Sequence, residues 1–141
     1  MKKYINTAFI YAIVAIVCGV FYREFTKFNM FDGKTTLAFT HLHFFALGTL
    51  VFLLVAVFSE ITDVTQQKAF KPFFVLYNIG LPFMVVMLFV RGIPQVLQME
   101  LSKGISSAIS GVAGIAHIIM AVAVVLLFTA LRKSKCTIKK A

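Results

Sequence analysis

Charged residues divide this chain into apolar stretches of similar length. Asp, Glu, Lys and Arg are absent from four runs, 5–22, 38–59, 72–90 and 108–130. Each run is close to the roughly 20 residues that a helix needs to cross a bilayer, and is too long for a buried strand. Lipid offers no hydrogen-bond partners, so such runs satisfy their backbone groups internally as helices. The pattern predicts an all-α integral membrane protein: one domain over 1–141, an up-down bundle of four transmembrane helices at about 5–22, 38–59, 72–90 and 106–131.

Composition and charge add an orientation. The 141 residues are 60% hydrophobic and 13% charged, whereas soluble domains carry about 25% charge. The net charge of +9 does not indicate nucleic-acid binding, because the basic residues lie between the spans and in the tail. With both termini inside, the inner segments hold most of them: Lys2, Lys3, Lys68, Lys71, Arg132, Lys133, Lys135, Lys139 and Lys140. The positive-inside rule therefore predicts an N-in/C-in topology, with both termini on the cytoplasmic side.

The two outer connections, 23–37 and 92–107, mix apolar and charged residues, which is typical of segments at a membrane interface. Thr35 or Thr36 is predicted to cap the second span. The run from Pro94 to Leu101 is predicted to form a separate short helix with proline in its first turn. We expect both connections to cover the outer mouth of the bundle.

The three histidines of the chain, His41, His43 and His117, all fall in the outer half of the second and fourth spans. Ionisable side chains are costly inside a membrane, and they are functional candidates for that reason. The alternative is structural: each histidine hydrogen-bonds a neighbouring helix and only helps packing.

The surroundings of His117 carry the same two interpretations. Small residues share its helical stripe, at Ser106, Ser110, Ala113, Gly114 and Ala121. Such a stripe is typical of close helix–helix packing, or of a second copy bound through small-xxx-small contacts. It also leaves space for a flat cofactor whose metal an imidazole ligates.

On the second span, His41 and His43 differ by about 200° around the helix, so they do not face one small site together. His41 shares a face with Gly48, which leaves room beside a cofactor ring. His43 lies deeper, nearer the level expected for His117. The choice of ligand stays open, with a slight preference for His43.

These residues favour a haem b held between the second and fourth helices, which lie on the diagonal of an up-down bundle. Imidazoles are suitable axial ligands. Arg91 and Arg23 end two spans on the outer side, where haem propionates need cations, and Gly48 and Gly114 would flank the ring. The predicted function is electron transfer or redox and ligand sensing, with a redox partner or quinone.

Two other functions remain open. His41, His43 and His117 could bind or transport copper or zinc without a porphyrin. The chain could also be a non-catalytic accessory subunit of a respiratory membrane complex. We expect no independent catalytic activity, because the sequence contains no nucleophile–base pair, no paired carboxylates within the spans and no phosphate loop.

Several runs resemble a family of short bacterial four-span membrane proteins of unassigned function: Phe21–Phe28, His41–Gly48, Tyr77–Asn78 and Ser110–His117. That resemblance implies a multi-pass protein of the bacterial cytoplasmic (inner) membrane, and it implies no activity. Locally, the H-x-H-x-x-x-L-G run is similar to one in small relatives of the haem-copper oxidase catalytic subunit. It implies that His41 or His43 pairs with His117 on a haem. The chain departs from that pattern in having far fewer spans, and too few histidines for a second haem and a copper site.

Overall fold

The computed structural model describes residues 1–137 and consists mainly of four long helices. They are α1 (Lys2–Phe28), α2 (Thr36–Ile61), α3 (Phe70–Val96) and α4 (Lys103–Lys133). Each is long and apolar enough to cross a membrane, and large apolar side chains such as Phe9 and Val125 lie exposed around the bundle. The chain is therefore a multi-pass protein of the lipid bilayer. The predicted basic tail includes Lys139 and Lys140, which lie outside the described residues.

The helices extend beyond the charge-free runs. α1 continues to Phe28, so the first connection contains only residues 29–35. α3 continues through Pro94 to Val96, and the separate helix predicted from Pro94 to Leu101 is wrong. Proline is accommodated in the last turn of α3, and the helix ends where Gln98 adopts a positive φ of 52°.

α2 is not a uniform α-helix. It begins with a 3-10 turn over Thr36–Phe39 and contains a π-helical segment over Phe44–Leu50. Thr35 caps the helix by accepting a hydrogen bond from the Leu37 amide at 3.3 Å, as the sequence predicted. A π segment holds one more residue per turn than its neighbours, so it changes which side chains share a face.

Aromatic side chains hold α1, α2 and α3 together. The ring of Phe52 on α2 stacks on Tyr11 of α1 at 5.7 Å and meets Tyr77 of α3 edge-on at 5.6 Å. The Tyr77 hydroxyl donates to the Leu47 carbonyl at 2.8 Å. Such aromatic pairs add roughly 0.5–1.5 kcal/mol each beyond the area they bury. This cluster places α3 against both α1 and α2.

α4 packs along α3 through a row of buried residues with helical spacing: Ala116, Met120, Ala123 and Ala130. Its end is also tied to the end of α2. The Lys135 amide donates to the Asp63 carboxylate at 2.6 Å, and the Thr137 amide donates to the Ile61 carbonyl at 2.9 Å. We call these contacts the terminal clasp. They close the bundle at the end that carries both described termini.

Candidate functional site: a groove between α2 and α4

A groove separates α2 from α4, with α3 as its floor. Near the terminal clasp it widens to a cavity of about 320 Å³. The lining is apolar apart from one tyrosine: Leu47, Val51, Leu54, Val55, Phe58, Val64, Phe70, Tyr77, Val124, Leu127, Phe128 and Leu131. Leu54 and Phe128 on its rims are exposed, so the groove opens sideways. We call it the α2–α4 groove.

His43 lies on the α2 wall of this groove. It lines a shallower depression of about 270 Å³ together with Phe39, Leu42, Ala46 and Leu47. Leu47 lines both this depression and the apolar cavity. The two cavities are therefore neighbours along one face of α2.

His117 lies on the α4 wall. It precedes Val124, Phe128 and Leu131, which line the cavity, by 7, 11 and 14 residues. At 3.6 residues per turn those spacings keep all four within about 40° of one direction around the helix. The His117 side chain is exposed, so no other helix of the described chain covers it.

The contacts between helices set the depth of each histidine. On α2, Leu47 is level with Tyr77, and the Thr36 hydroxyl donates to the Leu88 carbonyl at 2.8 Å. Counting residue for residue along this antiparallel pair places His43 level with about Leu81 of α3.

The same count applies to α4. Gly80 packs on Ile119 and Met120, which places His117 level with about Pro82 of α3. At 1.5 Å per residue, the two histidines therefore differ in depth by only about 2 Å. They share a depth and a groove, on opposite walls.

Both imidazoles are oriented in the same way. Nδ1 of His43 bonds the Phe39 carbonyl at 2.7 Å, and Nδ1 of His117 bonds the Ala113 carbonyl at 2.8 Å. A carbonyl only accepts, so Nδ1 carries a proton, and in the neutral imidazole the lone pair is then on Nε2. This is the tautomer that ligates a metal through Nε2, with the carbonyl fixing the ring.

Arg91 lies on α3, toward the end of the groove away from the terminal clasp. Its guanidinium donates to the Ser110 hydroxyl at 2.6 Å and to the Ser106 carbonyl at 3.2 Å. Ser110 precedes His117 by seven residues, which is about 10 Å along the helix. A cation is therefore held on the His117 stripe, two turns beyond the histidine.

Three of the candidate residues lie elsewhere. His41 faces α1, where its ring stacks on Tyr22 at 6.4 Å and its side chain packs on Gly19. Gly48 faces α1 too, and a Cβ there would lie 2.5 Å from the Tyr11 ring. Arg23 is a highly exposed residue on α1 that pairs with Glu24 at 3.7 Å. The structure brings none of them into the α2–α4 groove.

Gly114 and its neighbour Gly111 have open space beside them. No heavy atom within the described part of the chain lies within 4 Å of a Cβ built at either position, apart from their own local backbone. Gly111 and Gly114 therefore do not pack against another helix within the described part of the chain, although Ser110 on the same stripe bonds Arg91 of α3.

Among residues 1–137, no group of three or more His, Cys, Asp or Glu side chains lies close enough to hold a metal ion. His41 packs on α1, which leaves His43 on α2 and His117 on α4 as the two histidines beside the groove.

Sequence reasoning missed the part played by α3. Tyr77, Met84 and Arg91 recur at intervals of seven, and this spacing places them on one face of the helix. That face is the groove floor, and the spacing was a signal available in the sequence. Asn78 bonds across helices near Pro82, because its side-chain oxygen accepts from the Tyr11 hydroxyl at 2.9 Å.

A sequence profile for one family matches residues 1–134 of the chain. The chain belongs to the family described as proteins of unknown function, DUF2871. The resemblance to a family of short four-span proteins without an assigned function is thereby confirmed. No curated protein and no solved structure matches the chain.

Proposed function

We propose that this protein binds one b-type haem in the α2–α4 groove and serves in electron transfer or redox and ligand sensing. His43 and His117 would hold the haem iron, and Arg91 would supply a cation for the propionates. The observation that carries the proposal is a pair of imidazoles at similar depth on α2 and α4, each with Nδ1 bonded to a carbonyl of its own helix and Nε2 free of that bond.

The chemistry of the rest of the groove also suits a porphyrin. A haem is a large apolar ring with two carboxylates on one edge. The apolar cavity lies between the histidines and the terminal clasp, whereas Arg91 lies on the opposite side of the histidines along the groove. A ring seated between the histidines would place its apolar edge toward the cavity and its propionates toward the guanidinium. A bound haem supplies one-electron chemistry at its iron.

Open space beside Gly114 also supports this interpretation. A ring approaching His117 from the groove would pass close to the small residues of the same stripe, Ser110, Ala113 and Gly114. Larger side chains there would narrow the groove. His41, Gly48 and Arg23, which also entered the sequence prediction, have no part in this proposal because they face α1 or the surface.

The decisive experiment is an absorption spectrum. The wild-type protein is purified from haem-replete cells, and its oxidised and reduced spectra are recorded before and after added haem. We expect a Soret band typical of two histidine ligands. His43→Ala and His117→Ala are expected to lose it, whereas His41→Ala, a matched change on the other face of α2, is expected to keep it.

The absence of a Soret band, both as purified and after adding haem, would reject the proposal. Loss of the band in His41→Ala but not in His43→Ala would reject the assignment of ligands. Elemental analysis of the same samples addresses the other ligand class. Copper or zinc that disappears in His117→Ala, without iron or porphyrin, would replace haem with a porphyrin-free metal function.

A further inference from the structure

A second crevice lies between α1 and α3, on the side of the bundle away from the α2–α4 groove. Its volume is about 370 Å³, and its lining residues are Thr7, Ile10, Tyr11, Val14, Phe44, Asn78 and Pro82. That volume is within the usual range of small-molecule sites. Ile10 at the mouth is 61% exposed, so the crevice opens on the lipid-facing surface of the bundle.

Most of the crevice surface is apolar, but two of its lining residues, Tyr11 and Asn78, carry polar groups that bond each other within the spans. The Tyr11 hydroxyl donates to Oδ1 of Asn78 at 2.9 Å, and Nδ2 of Asn78 donates to the Phe74 carbonyl at 2.7 Å. An amide nitrogen has two protons and a phenol oxygen also accepts. Asn78 therefore retains one donor, and Tyr11 retains its acceptor lone pairs.

Pro82 adds a further acceptor. In a regular helix the carbonyl of Asn78 would receive a hydrogen bond from the amide of residue 82. Proline has no N–H, so this bond is absent. A carbonyl that loses its donor inside a membrane is costly unless another group supplies a hydrogen bond.

We propose that this crevice binds the ring of an isoprenoid quinone or quinol. The free proton of the Asn78 amide suits a quinone carbonyl, and the Asn78 main-chain oxygen and Tyr11 oxygen suit a quinol hydroxyl. A crevice that opens on the bilayer is reached by lipid-soluble molecules, and a ring with an apolar tail can leave that tail in the lipid.

The choice of a quinone rests on the proposed haem function, because a quinone is a lipid-soluble molecule that can exchange electrons with a haem inside the membrane. The crevice is well placed for one. Asn78 and Pro82 lie near the depth of His43 and His117, on another side of α3. Phe44 lines the back of the crevice and directly follows His43. About one helix diameter, roughly 10 Å, separates the two sites.

Photo-crosslinking tests the site directly. Purified full-length protein in lipid nanodiscs is irradiated with an azido-quinone, and labelled peptides are mapped by mass spectrometry. We expect labels on the segments around Thr7–Val14 and Asn78–Pro82, suppressed by excess ubiquinone-1. Asn78→Leu is expected to weaken ubiquinone-1 competition about tenfold, the effect of losing one or two hydrogen bonds.

Matched variants separate a specific site from a disturbed fold. Asn6→Leu makes the same change at an exposed position of α1 and is expected to behave as wild type. Tyr11→Phe removes only the hydroxyl and is expected to reduce labelling. Labels spread evenly over all helices, labels that ubiquinone-1 does not suppress, or wild-type labelling in both Tyr11→Phe and Asn78→Leu would overturn the inference.

The haem spectrum of each sample distinguishes the two proposals. A Soret band without competed labelling of the crevice rejects the quinone site and leaves the haem function intact. Competed labelling in a protein that binds no haem retains the quinone site and rejects the haem function.

Discussion

Single residues decide which groups can reach the groove. His41 and His43 lie on opposite sides of α2, and only His43 shares a cavity wall with Leu47. The 200° separation follows from helix geometry and was predictable. His41 faces α1 because it contacts Tyr22 and Gly19 of that helix. The sequence of α2 alone does not contain this information.

At the residue scale, Gly48 offers a test of the α1–α2 contact. Gly48→Ala places a methyl group against the Tyr11 ring, where a Cβ would lie 2.5 Å away. Overpacking of this kind costs about 1–3 kcal/mol. We expect a lower unfolding temperature for this variant, measured by circular dichroism in one detergent.

Gly111→Ala is the control for that change, because nothing lies within 4 Å of its added Cβ. It is expected to match or exceed wild-type stability, since alanine favours a helix over glycine by roughly 0.5–1 kcal/mol. Equal destabilisation of both variants would contradict the close α1–α2 packing described above.

At the element scale, the π segment of α2 sets how the preceding residues, 36–43, are rotated relative to the rest of the helix. Phe44–Leu50 lies between His43 and the regular turns of Val51–Ile61. A sequence pattern read with 3.6 residues per turn does not contain this extra residue. Spacing alone therefore does not decide whether His41 or His43 lies on the groove wall.

Deletion of the exposed Phe45 removes the extra residue and returns the segment to regular α-helix. The part of α2 that carries His43 then turns by about 100° relative to Val51–Ile61. We expect the deletion variant to lose the Soret band while keeping its helical circular dichroism. Phe45→Ala keeps the residue count and is expected to retain the band; haem binding by the deletion variant would argue against His43 as a ligand.

At the scale of the whole molecule, the four spans were predictable because lipid forces every long apolar run into a helix. The shape of the bundle was not. The predicted diagonal arrangement of α2 and α4 assumes a closed core of four helices. In the structure α4 packs along α3, and the face of α4 that carries His117 and Gly114 is open. The exposed His117 and Gly114 are the residues that reveal this difference.

Orientation in the membrane is a whole-molecule property, and it stays a prediction of charge distribution. Cys136 is exposed beside the terminal clasp, and Cys18 is buried. With both termini inside, a membrane-impermeant maleimide added to intact cells should leave Cys136 unlabelled until the membrane is permeabilised. Lys34→Cys, in the connection at the opposite end, should be labelled at once; the reverse pattern would invert the topology.

The terminal clasp has a consequence for biogenesis. α4 follows the other three helices in the chain, so it is synthesised after them, and it supplies the wall that carries His117. The groove is therefore incomplete while α1, α2 and α3 alone are inserted. Once the Lys135 amide has bonded the Asp63 carboxylate, the groove is closed at that end and remains open to lipid along its length. Lateral entry from the lipid is then the route that the proposed haem would take into the finished protein.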